Sequence, residues 1–211
     1  MGMNCIPPFN TTIQKEMGLS STQIGHLVHS VLANRSEELK VLERDSTKLQ
    51  SVVPPFPRIT YEQALDLLRE KGISHHWGDD FGATEDALLS EQFDRPVMIT
   101  HYPLQTKAFY MKSDPQKPDL ALCLDVLAPE GYGEIIGGSQ REDDYDKLLE
   151  RLVQHNLPRE SFEWYLDLRR YGSVPHSGFG LGIERTIGWI CGIKHLREAI
   201  PFPRLLQRIY P

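Results

Sequence analysis

Four β-prone runs crowd into residues 96–142: "PVMITHYP", "KAFYMKS", "LALCLDVLA" and "GYGEIIGGSQRE". Parallel neighbours need a crossover of a dozen or more residues, whereas antiparallel ones are joined by short turns. The connections here are too short for helices, so the segment is expected to form an antiparallel sheet. Helical patterns lie on both sides of it in sequence, which makes the fold class α+β, an antiparallel β-sheet flanked by helices.

Upstream, Ile24, Leu27, Val28, Val31, Leu32, Leu39 and Leu42 recur at helical spacing and predict one amphipathic helix from Thr22 to about Arg44. The cluster "PPFP", Pro54 to Pro57, ends that region. A second helix starts at Thr60, where Thr60 and Gln63 form a capping-box pattern. Ala64, Leu65 and Leu68 are its apolar face, and Gly72 stands where a left-handed terminal residue belongs. "HWGDDFGATED" reads as a loop. Downstream, Asp143–His155 and Glu160–Tyr171 read as two helices joined through Pro158, and "SGFGLGIERTIGWICG" as a strand running into a helix. Residues 1–21 show no periodicity and read as a leader, so the domain is expected over 22–211.

The chain has 211 residues, 40% of them apolar, enough for a substantial core. Its net charge of -6 argues against a dedicated electrostatic nucleic-acid binder, so any nucleic acid must be met locally. Cys5, Cys123 and Cys191 lack metal-ligand or disulfide-framework spacing and read as free thiols in a reducing compartment. No apolar run approaches the length of a membrane span, and a cytoplasmic location is expected. His26 and His29 share a helical face without a third ligand nearby, which favours ordinary surface histidines over a metal site.

Two constellations can carry chemistry. Asp125 in "LCLDVL" and Glu134 beyond the turn "APEGYG" fall on neighbouring antiparallel strands. Two carboxylates across a ladder repel unless a cation or shared proton relieves them; a hard ion such as Mg2+ suits the pair. A structural reading, with one carboxylate solvated and the other hydrogen-bonded, stays open. Glu134 and Arg141 are seven residues apart and would face opposite ways on a regular strand. A bulge at Gly137-Gly138 would bring Glu134, Gln140 and Arg141 into one pocket, where the planar fork of Arg141 suits a carboxylate or amide oxygen. In the second constellation Gly178, Gly180 and Gly182 occupy one bare strand face and Phe179, Leu181 and Ile183 a packed one. A planar ring fits the bare side, with Arg185 at the junction to stack on it or reach a phosphate.

"GFGLGIER" leading into an apolar helix resembles motif 3 of the class II aminoacyl-tRNA synthetases. Together with "YGEIIGGSQRE", "DLRRYGSVPHSGFGLGIERTIGWICG" and "REAIPFPR", it is most similar to the asparaginyl-tRNA synthetases, from about residue 24 onward. The resemblance implies a six- to seven-stranded antiparallel sheet and an asparagine–tRNA ligase using ATP and Mg2+. It implies that Asp125 and Glu134 hold the metal against the ATP phosphates and that Gly182 lies under the adenine. Arg185 stacks on that ring and reaches the γ-phosphate, so Arg185 and Glu134 are the implied catalytic residues. Arg141 and Gln140 are implied in amino-acid binding.

The same resemblance leaves the family's OB-fold anticodon domain, motif 1 and motif 2 without counterparts here. The expectation is therefore a chain inactive by itself or dependent on a partner, either a homodimer mate or a complementing synthetase fragment, with weak hold on tRNA. An amide-forming adenylating paralogue, such as an asparagine synthetase-like enzyme, and a non-catalytic nucleotide-binding module are the alternatives.

Overall fold

The computed structural model describes residues 21–208 and 210, so all but the last residue of the expected leader, and Cys5, lie outside the described residues. The first helical region is divided into α1 (Ser21–Asn34), α2 (Ser36–Val41) and α3 (Ser46–Gln50) instead of one helix to Arg44. The Asn34 side chain donates to the Ser30 carbonyl at 2.8 Å, competing with the backbone, and Arg35 leaves helical geometry at φ -132°. Asp45 then restarts the chain by capping the Thr47 amide at 3.0 Å.

Strand β1 (Arg58–Thr60) leads into α4 (Tyr61–Glu70), where the expected Thr60–Gln63 capping box is complete. Gly72 takes φ 78° as expected, while the Ile73 amide closes on the Leu68 carbonyl at 3.0 Å. The glycine- and aspartate-rich stretch contains the start of α5 (Ala83–Ser90), whose Glu85 carboxylate accepts from the Gly82 amide.

Four more strands follow as β2 (Val97–Thr100), β3 (Cys123–Ala128), β4 (Gly133–Gln140) and β5 (Ser177–Leu181), and the five lie side by side in chain order. The ladders from β2 to β5 are antiparallel as expected. β1 joins β2 in parallel, with α4 and α5 as the crossover, so the sheet is mixed and has five strands among the described residues.

"KAFYMKS" is not a strand. It follows a 3-10 turn at Leu104–Thr106, and its backbone pairs only in isolated bridges at Met111 and Ser113. Its consecutive aromatics, Phe109 and Tyr110, both join the cluster built on α6 (Tyr145–Gln154) and α7 (Glu163–Arg170), which strand alternation would forbid.

One sheet face, carrying Val97, Ile99, Cys123 and Leu127, is covered by Tyr61, Leu65 and Leu68 of α4 and Leu89 of α5. The other, carrying Met98, Leu124, Val126 and Ile136, packs on Val28, Leu39 and Leu49 of α1–α3 and on Trp189 of α8 (Ile183–Cys191). Arg44 ties the second layer together: its guanidinium is paired with Glu130 at 2.5 Å and donates to the Ile190 carbonyl at 3.1 Å.

Candidate functional site

The register places Ile99, Asp125, Gly137 and Gly180 in one row across β2 to β5. The first two positions lie at the α4–α5 layer; the last two are glycines. A Cβ on Gly180 would meet nothing within 4 Å, so β5 presents bare backbone in the row that carries the acidic residue.

Glu134 pairs with Leu127 and not directly with Asp125, yet both carboxylates converge over Gly137. A Cβ there would stand 2.6 Å from one Glu134 carboxylate oxygen and 3.3 Å from Asp125 Oδ1. The convergence depends on a bulge, but not at Gly137-Gly138. Val126 pairs with Ile136 and Leu127 with Glu134, which leaves Ile135 as the extra residue, while the β4–β5 ladder runs regularly through both glycines. The physical reason is burial: Ile135 and Ile136 are 2% and 1% exposed in the same core, and two adjacent apolar side chains can face one side only where the strand is bulged.

The consequence expected of the bulge holds for Arg141, which shares the face of Glu134. Its guanidinium spans the space a Cβ on Gly178 would need, 2.7 Å from Nη2, and lies over the Tyr110 ring at 4.5 Å. Gln140 is not brought in. Pleating sets it with Gly138 on the face opposite Gly137, Ser139 and Arg141. Ser139 is fully buried on the site face, and its Oγ finds no partner among the described residues.

Gly182 stands between β5 and α8 as the helix N-cap, and Arg185 sits in the first turn of that helix, exposed, donating to the Glu134 carbonyl at 2.8 Å. The stem of Arg185 packs where a Gly182 Cβ would point, 3.5 Å away. Ile183 is helical and 62% exposed, and Phe179 and Leu181 remain 40% and 38% exposed, so the face opposite the glycines is not fully packed.

Sequence reasoning missed Lys107. Its ammonium lies 3.1 Å from Asp125 Oδ2, 3.0 Å from Asp80 and 3.7 Å over the Tyr102 ring. Burial alone would lower its pKa, but Asp125 and Asp80 outweigh that and hold it charged. No local pattern marks it, because its segment is shaped by distant contacts. Asp86 was missed as well: burial, then Asp125 and Glu134, push its carboxyl up to about 7. Burial also raises Asp125, against the pull of Lys107, and burial with Asp125 raises Glu134. These directions describe a site with excess negative charge, relieved in part by one lysine.

No group of three His, Cys, Asp or Glu ligands forms among the described residues, and His26 and His29 are exposed. Two carboxylates converging over a glycine nevertheless fit Mg2+, which is commonly held by one or two carboxylates with phosphate and water oxygens completing its shell. Cys123 is buried, which pushes its thiol up to about 12, consistent with an inert core residue.

Residues 11–206 match the family of class II tRNA synthetases (D, K and N), a span that begins inside the expected leader. The chain is 57% identical over 202 residues to the asparagine–tRNA ligase of Pelotomaculum thermopropionicum, covering 96% of this chain and 46% of that protein. It thus spans about half the length of the curated relatives it matches. The crystal structure of asparaginyl-tRNA synthetase from Pyrococcus horikoshii superposes with a TM-score of 0.87 at 53% identity, over 90% of this chain and 46% of that one. The same enzyme complexed with asparaginyl-adenylate gives 0.85 at 54% identity, over 89% and 43%.

Proposed function

Because this chain belongs to the class II tRNA synthetases (D, K and N), we propose that it carries the ATP- and asparagine-binding face of an asparagine–tRNA ligase. The observation supporting this most strongly is the glycine floor, with Asp125 and Glu134 converging at Gly137 and Arg141 reaching over Gly178. An adenine ring lies on the backbone of Gly180 and Gly182, where Arg185 offers a guanidinium face to it and a charge to the polyphosphate. Mg2+ bound by Asp125 and Glu134 supplies charge neutralisation for the phosphates. Arg141, held over Tyr110, presents directed donors to asparagine.

The reaction class is attack of the asparagine carboxylate on the α-phosphorus with loss of pyrophosphate. A terminal hydroxyl of tRNA then takes the acyl group and AMP leaves. These residues contribute alignment and charge more than covalent chemistry. The proposed partners are tRNA and a second synthetase chain, in the cytoplasm.

Calorimetry with ATP and MgCl2, and separately with asparagine, tests the assignment. Asp125→Ala and Arg185→Ala are expected to lose nucleotide binding, and Arg141→Ala asparagine binding, with unchanged circular dichroism. Parent-like nucleotide affinity in both of the first two variants would place the site elsewhere.

A further inference from the structure

The geometry points to Lys107 as a built-in counter-cation that makes a divalent metal enter this site together with nucleotide instead of alone. The inference rests on the ATP and metal reading above and concerns a residue that reading did not use.

Three observations carry it. First, Lys107 is fixed. Its carbonyl and that of Leu104 both accept from Arg151 Nη2, at 3.2 and 3.0 Å, and its side chain is only 11% exposed. Second, it splits the duties of Asp125. Oδ2 faces the ammonium at 3.1 Å, while Oδ1 is the oxygen directed over Gly137 toward Glu134. Lys107 therefore positions Asp125 so that one oxygen remains for a ligand on the floor. Third, its second carboxylate partner, Asp80, has a side chain 52% exposed at the site's outer edge, so the ammonium is anchored most firmly on Asp125.

A bare divalent ion approaching Asp125 Oδ1 meets a positive charge on the far oxygen of the same carboxylate. That opposes metal binding while the carboxylates stand alone. A metal arriving with triphosphate brings compensating negative charge, and the lysine no longer disfavours it. Lys107 thus couples the two ligands, making each bind better in the presence of the other.

The test is Mn2+ titration followed by electron paramagnetic resonance, with and without ATP, on the parent, Lys107→Met and Lys107→Arg. The parent is expected to bind Mn2+ weakly alone and much more tightly with ATP. Lys107→Met is expected to bind Mn2+ alone about tenfold or more tightly than the parent, since the nearby like charge is gone, with the enhancement by ATP correspondingly reduced. Lys107→Arg keeps the charge and is expected to behave as the parent. Lys107→Gln, which keeps a donor toward Asp125, carries the same expectation as Met and serves if the Met variant does not fold. Equal or weaker binding of Mn2+ alone by the neutral variants, beside a parent that binds Mn2+ with ATP, overturns the role of Lys107. A parent that binds no Mn2+ with ATP overturns the functional reading itself.

Discussion

Replacing Arg44 by Met should cost about 3 kcal/mol of stability, and the structure shows why. The Arg44 side chain is 5% exposed and meets Glu130 in a two-pronged pair at 2.9 and 2.5 Å, with a further bond to the Ile190 carbonyl. Removing one partner of such a pair leaves the other charge uncompensated and typically costs ~3–5 kcal/mol. The lower end applies here, because Glu130 is 18% exposed and keeps Lys48 at 3.1 Å. For a domain of this size, about 3 kcal/mol lowers the melting temperature by roughly 6–12 °C. Burial pushes the Glu130 carboxyl up, but hydrogen bonds and charge from Arg44 and Lys48 outweigh it and hold the pKa below the ordinary range. The sign follows: this contribution is present above the unfolded glutamate pKa and is lost as pH falls through the folded one. Urea unfolding of the parent, Arg44→Met, Glu130→Gln and the double variant at pH 7 and below pH 4 is the assay. A loss under about 1 kcal/mol at pH 7, or a double-mutant coupling near zero, would refute the reasoning.

Gly137→Ala should separate binding from folding. Its Cβ displaces the mobile end of Glu134, so stability should change by under about 1 kcal/mol, while calorimetric affinity for MgATP should fall tenfold or more; parent-like affinity would contradict the convergence of carboxylates described here. Asp86→Asn should stabilise the metal-free chain in a pH-dependent way. With a folded pKa near 7 against an ordinary aspartate of 3.8, ionisation destabilises the parent progressively as pH rises between those values. The variant's advantage should grow from near zero at pH 4 to at most about 4 kcal/mol at pH 8, at 1.36 kcal/mol per pKa unit. Urea midpoints measured in chelator at both pH values check it, and an advantage independent of pH would count against the assignment.

Local chemistry carried much of the fold. The Thr60 cap and Gly72 are decided by residues within a turn of each other, and the β3–β4 hairpin by the glycine-rich turn between two apolar runs. Where distant contacts decide, the reading failed. β1 is three residues long and exists because β2 supplies its partner, which no periodicity announces. "KAFYMKS" has strand-like composition, but Phe109 and Tyr110 are drawn to Leu148, Phe162 and Tyr165, far along the chain. The helix break at Arg35 carries no proline or glycine; its sign was the small polar pair Ser30 and Asn34. The site was legible in its acids, Arg141 and the glycines, whereas Lys107 reaches Asp125 across 18 residues of irregular chain.

The bulge at Ile135 also governs how this strand can be compared with others. In an unbroken strand, residues on one face are separated by even numbers, and one bulge makes the separation odd. Glu134 and Arg141, seven apart, are on the odd side of that rule. A homologous strand one residue shorter between these positions keeps both side chains over the floor if the missing residue belongs to the Ile135-Ile136 doublet. A gap placed instead among residues 137–140 gives the same length and turns the arginine away from the glutamate. Alignments across this strand should therefore place their gaps by parity, not by the glycines.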